Sequence, residues 1–144
     1  MLVYLDICCF NRPFDDQTQL RVRLESESKL SIQEEIRATK LQLVWSYMMD
    51  YENSANPFQE RQINTSRWKQ HSVSDVGATA EIIAAAHVFQ ELGFAKKDAL
   101  HLACAVSANC NVFFTTDHGI LKRKHLATDI AILNPIDYIN RDDD

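Results

Sequence analysis

Glycine and proline are scarce in this sequence, three of each in 144 residues. With no linker, low-complexity tract or internal repeat, the chain reads as one domain, large enough to bury roughly two-thirds of its unfolded surface. No apolar run approaches the ~20 residues that a membrane-spanning helix needs. The N-terminus opens on the strand-like "LVYLD", without the charged-then-apolar pattern of an export signal. A cytoplasmic location and no membrane partner are the expectations. No two of the four cysteines, Cys8, Cys9, Cys104 and Cys110, form a CxxC pair, and adjacent Cys8 and Cys9 are poorly placed for an ordinary disulfide. Small, buried, reduced thiols are expected. Positive charge is also short: Lys and Arg number 15 against 20 Asp and Glu, a net charge of −5. That argues against coating nucleic acid by charge alone. It leaves room for an enzyme that reaches phosphates through bound cations, which reverse the local sign of an acidic pocket.

What is present alternates between strand and helix patterns. "LVYLDICCF" (2–10) reads as a first strand running into a turn closed by "NRPFDD". The polar-rich stretch from 17 to 29 reads as an exposed helix, with Leu20 and Leu24 in line and Val22 off that line; a second helix follows over 32–40. "LQLVWS" (41–46) is a second strand, followed by the helical "YMMDYENSANPF", which Pro57 interrupts, and by a further helix in "ERQINTSRWKQ". A short strand is expected over 71–75. The helix over 78–92 groups Ile83, Ala84, His87 and Val88 on one face and stops at Gly93. The next, 96–110, carries an inward stripe of Ala99, Leu102, Ala103 and Val106. "NVFFTT" and "IAIL" (130–133) are the last strands. A single domain over 1–140 with a frayed tail at 141–144 is expected. Near-continuous apolar strands separated by helices predict an α/β fold, a central parallel sheet between two helical layers. In such sheets ligands bind beyond the strand C-terminal ends, where Asp6 and Asp117 both fall.

Asp is a common turn and cap residue, so neither acid alone says much. Two more candidates add to them. Asp98 opens the helix after "FAKK", and Glu52 lies on the helix after the second strand, with Asp50 two positions away and on another face. Four carboxylates gathered with no obvious internal cation repel one another by several kcal/mol at intermediate dielectric. Shifted protonation or bound divalent cations must relieve that repulsion. Hard oxygen donors with few histidines select Mg²⁺ or Mn²⁺ over zinc, and those ions handle phosphates.

"VYLDICCFNRPFDD", "LVWSYMMDYENSANPF", "KKDALHLACA" and "VFFTTDHGILK", in this order, resemble a PIN domain, the nuclease fold of VapC-type toxins. The resemblance spans Leu2 to about Asn134. By position it implies four catalytic and metal-binding acids, Asp6, Glu52, Asp98 and Asp117, with Asp50 as the competitor of Glu52. It implies hydroxyl support from Thr115 or Thr116, and metal-assisted hydrolysis of an RNA phosphodiester. A further acid that many members carry is missing here, because His118, Gly119 and Ile120 follow Asp117. An antitoxin-like protein partner and a homodimer are implied as well. Asn11 and Arg12, just beyond Asp6, are candidates to hold a carboxylate or touch the substrate phosphate; Arg12 is equally placed to pair with Asp15 or Asp16.

Among the remaining residues, "LKRKH" is the best basic patch, and Lys122, Arg123 and Lys124 are candidate RNA-backbone contacts beside the alternative of a solvated turn. His101 shares a helix face with Asp98, where packing or a hydrogen bond to the site is the expectation. His87 is expected in a core or interface, and Trp45 and Trp68 in packing. The alternative to a nuclease is the same fold binding RNA or a partner without cutting. A phosphatase is disfavoured because Cys8 stands where its second Asp belongs, and a receiver domain lacks its acidic pair.

Overall fold

The computed structural model describes residues 1–141. The expected tail at 141–144 otherwise lies outside the described residues. Five strands, β1 (Leu2–Leu5), β2 (Gln42–Ser46), β3 (Ser72–Val76), β4 (Val112–Phe114) and β5 (Ala131–Leu133), form one sheet in the order β3-β2-β1-β4-β5. Every pairing is parallel. The eight helices among the described residues are α1 (Ile7–Asn11), α2 (Leu20–Arg37), α3 (Tyr47–Ser54), α4 (Gln59–Trp68), α5 (Ala80–Glu91), α6 (Lys96–Ser107), α7 (His118–Leu121) and α8 (Pro135–Arg141). None is long and apolar enough to cross a membrane.

The central strands are buried along their length because helices cover the sheet: Val3, Tyr4, Leu5, Leu43, Val44, Trp45, Val112, Phe113 and Phe114 all lie in the core. The strand order reverses at β1, whose neighbours are β2 and β4. A crevice opens at such a switch point, beyond the strand C-termini.

Several local expectations are corrected. The first strand ends at Leu5, not Phe10: Asp6 caps α1, its side chain accepting the Ile7 N–H, and "ICCFN" coils into a short helix with Cys9 and Phe10 buried. The two helices expected over 17–40 are one, α2, whose inward face includes Val22, off the Leu20–Leu24 line, together with Ile32 and Ile36, both expected to point inward. Leu20 and Leu24 are exposed while Val22, Ile32 and Ile36 are buried together with Glu25, Ser26, Lys29 and Gln33. Three of the polar members find partners: Ser26 donates to the Val22 carbonyl, Lys29 sits over the Phe10 ring, and Glu25 receives Arg12 and Asn134, whereas Gln33 Nε2 has no hydrogen-bond partner among the described residues. In α5 the buried stripe is Ile82, Ala86 and Phe89, so Ile83, Ala84, His87 and Val88 face outward. Gly93 ends that helix with φ 108°, and the Phe94 N–H bonds back to the Phe89 carbonyl, a Schellman closure that favours glycine. The C-terminal helix α8 had no counterpart in the sequence pattern.

Candidate active site

Asp6 follows β1 directly and is buried at the rim of the sheet. One carboxylate oxygen caps α1; the other accepts from Thr115 Oγ1 at 2.9 Å and from Cys8 Sγ at 3.3 Å. Thr115, the residue after β4, is itself fully buried, and its hydroxyl oxygen receives the Asp117 N–H at 3.0 Å. The same hydroxyl therefore ties together the two strand-end acids. Asp117 is exposed and caps α7 through the Ile120 N–H. Thr116 has a buried hydroxyl oxygen with no partner in the structure, while its backbone N–H reaches Cys8 Sγ.

Asp98 lies in the first turn of α6. Burial, and then the charges of Asp6, Asp117 and Glu52, push its carboxyl up to about 6, against an opposing pull from His101. Asp6 is raised as well, first by burial and then by Glu52, against the stabilising effects of His101, Thr115 and Cys8. Asp98 thus lies within electrostatic reach of the other three acids, and Asp6 within reach of Glu52. Asp50 and Glu52 differ in their partners. Asp50 accepts from Trp45 Nε1 at 2.9 Å and from Lys69 Nζ at 3.0 Å, on the side of β3. Glu52 accepts from His101 Nε2 at 2.7 Å, and its charge acts on Asp6 and Asp98.

His101, expected to pack or to hydrogen-bond to the site, does both and is a candidate internal cation. Burial alone favours its neutral form, but the hydrogen bond to Glu52 and the charges of Asp6, Glu52 and Asp98 outweigh that, and its pKa ends above the ordinary value. Its Nδ1 is bonded to the Tyr4 hydroxyl, which in turn meets Ser46 Oγ at 2.6 Å. Spacing held the clue: Tyr4 precedes Asp6 by two on a strand and His101 follows Asp98 by three on a helix.

The basic candidates are placed less simply. Arg12 donates to Asp15 and to buried Glu25, not to Asp16, and Asn11 accepts from Asn56 at 3.4 Å at the far end of α1. Arg123 donates to the Gly119 carbonyl, whereas Lys122 and Lys124 are exposed on the turn after α7. Trp45 and Trp68 are buried in the core. Of the cysteines, Cys9, Cys104 and Cys110 are buried and free, and Cys8 is half-buried among the acids.

Among the described residues, no three His, Cys, Asp or Glu side chains are grouped so as to hold a metal ion as they stand. The donor chemistry still fits a hard divalent cation: carboxylates raise one another's pKa, and Mg²⁺ usually needs one or two of them, keeping waters in its other positions. Thr115→Val, a change of similar shape, should destabilise the fold by about 1–3 kcal/mol by stranding the Asp6 oxygen and the Asp117 N–H. It should also raise the Asp6 pKa further, because the lost bond favours the carboxylate. Urea unfolding and carboxyl NMR titration read the two effects.

A five-stranded parallel sheet between helical layers, with acids at the ends of β1 and β4, is a PIN-like three-layer α/β/α fold. The same fold occurs in a chain of VapBC2 from Rickettsia felis, solved bound to a DNA fragment from their promoter: TM-score 0.59, 16% identity, 93% of this chain and 98% of that one covered. It occurs also in a chain of VapBC-1 from nontypeable Haemophilus influenzae: TM-score 0.56, 14% identity, 94% and 98% covered. No protein-family model matches the sequence, and no curated protein matches it.

Proposed function

We propose that this protein is a Mg²⁺- or Mn²⁺-dependent endoribonuclease of the VapC toxin type. The observation that carries the reading is the convergence of Asp6, Glu52 and Asp117 on Asp98 at the switch point of a PIN-like sheet. A divalent cation held there would supply Lewis-acid activation of water and of the phosphate. The chain's own residues would do the rest. Asp6, fixed by Thr115 and the α1 N–H, and Asp98, on the first turn of α6, present oxygen donors from two rigid elements. Asp117 faces solvent, where a phosphodiester arrives, and exposed Lys122 and Lys124 lie a turn away to meet its backbone. Water adds to phosphorus, one P–O ester bond breaks, and the departing oxygen takes up a proton, leaving a phosphate monoester and an alcohol.

An antitoxin-like protein would mask this site, and a homodimer is the expected assembly. A second reading, an RNA- or protein-binding module that does not cut, is favoured by the engagement of Glu52 with His101. A nuclease assay on defined RNAs decides between them. Cleavage that EDTA removes and added Mg²⁺ or Mn²⁺ restores supports the enzyme; RNA binding without metal-dependent cleavage overturns it.

A further inference from the structure

We infer that His101 is a positioning residue for Glu52, locked from inside the sheet by Tyr4 and Ser46, and that this buried chain sets how tightly the acidic pocket takes a divalent cation. The inference rests on the nuclease reading of that pocket. Its basis is a continuous hydrogen-bonded line from the core to the site: Ser46 Oγ to Tyr4 OH at 2.6 Å, Tyr4 OH to His101 Nδ1, and His101 Nε2 to Glu52 Oε1 at 2.7 Å. Ser46 and Tyr4 are completely buried, and His101 is 1% exposed. Polar groups so placed have no water to fall back on, so each bond constrains the next.

The Glu52 carboxylate at the outer end calls for a proton on Nε2, and the rest of the chain can run in either direction behind it. Ser46 caps α3, and its oxygen accepts the Met49 N–H at 3.4 Å. With the neutral ring, the Ser46 proton goes to the Tyr4 oxygen, the Tyr4 proton to Nδ1, and the imidazole proton remains on Nε2, facing Glu52. If the ring gains a second proton, Nδ1 donates to Tyr4 and the hydroxyls turn round, yet Nε2 still donates to Glu52. The tether survives either way. Tyr4 is held in place by its ring, stacked on Phe113 at 5.2 Å and edge-on to His101 at 5.7 Å.

The same chain touches the frame of three candidate ligands. Tyr4 is on β1 two residues before Asp6, His101 is on α6 three residues after Asp98, and Ser46 caps the helix that carries Glu52. A line of polar groups that ends on a half-exposed carboxylate in an acidic cluster is explained by what it does to that carboxylate.

The test is direct Mn²⁺ binding to metal-free protein, read by the EPR signal of the free ion, in wild type, Tyr4→Phe, His101→Gln, His101→Leu and Asp98→Asn. Long-range ¹H–¹⁵N spectra of histidine-labelled wild type and Tyr4→Phe report the His101 tautomer. Tyr4→Phe keeps the ring and should weaken Mn²⁺ about tenfold, the lower end of what loss of a ligand-orienting partner does. It should also mix the His101 tautomers. His101→Gln, which keeps an N–H donor, should bind more tightly than His101→Leu. If Asp98→Asn loses Mn²⁺ but Tyr4→Phe and both His101 variants bind like wild type, the inference is overturned and the nuclease reading stands. If wild type itself binds no Mn²⁺, both are overturned.

Discussion

Asp98→Asn should reduce Mg²⁺-dependent RNA cleavage by at least about 100-fold and, in metal-free protein, raise stability near neutral pH. The first figure follows because partners that merely orient a ligand are worth 10–100-fold, and a direct ligand exceeds them. The second is the less intuitive half. A carboxylate in the first turn of α6 gains about 0.3–1 kcal/mol from the helix dipole, so a purely structural Asp98 would be missed when removed. Here burial and the charges of Asp6, Asp117 and Glu52 win, lifting the carboxyl to about 6 from 3.8. A carboxyl whose pKa is higher in the folded state binds its proton more tightly there. Stability is therefore lost as pH rises through the window from about 4 to 6. The side chain is only half buried, so solvent screening leaves about 1 kcal/mol of that penalty at pH 7. Thermal melts in EDTA should show wild type falling relative to Asp98→Asn across that window, with the variant about 2–4 °C higher at pH 7. Saturating Mg²⁺ should reverse the order.

The two strand-end acids were legible in the sequence because topology alone delivers them. An apolar run that ends in Asp places that Asp at the sheet rim, and parallel order places both rims on one edge. Of the helical acids the sequence favoured Glu52 over Asp50, but it did not show the surroundings that distinguish them: Trp45 and Lys69 hold one, His101 the other. The 17–40 region misled for a related reason. Leu20 and Leu24 have helical spacing, but the face they mark is solvated, because Glu25, Lys29 and Gln33 have an inward environment that periodicity cannot reveal. "ICCF" shows the other standing ambiguity, a short apolar run that serves equally as strand or buried helix until the cap at Asp6 decides. His101 read as a residue that packs or hydrogen-bonds to the site; its partner Tyr4 becomes visible only once β1 and α6 are side by side.

Glu25→Ala should destabilise the fold by about 3–5 kcal/mol, the effect of leaving buried partners of a charge without it. Glu25 has no exposed side-chain surface, and it receives Arg12 Nε at 3.0 Å, Arg21 Nε at 3.5 Å and Asn134 Nδ2. Through Arg12 it anchors the turn that follows α1, where Asp15 also takes Arg12 and Arg61, and Gln17 closes on the Arg12 and Asp15 carbonyls. Through Asn134, which receives the Ile136 N–H, it anchors the start of α8. The "NRPFDD" stretch is thus held from inside by α2, and Arg12 is spent on that anchoring. Arg12→Met combined with Glu25→Leu should be milder than Glu25→Leu alone, since removing both partners leaves no buried charge unpaired. Urea unfolding of the single and double variants measures the coupling. An Arg12 whose main task is to meet RNA would give additive stabilities and a selective loss of RNA affinity. Anchoring predicts strong non-additivity, with any loss of cleavage following the loosening of α1 and of Asp6 at its start.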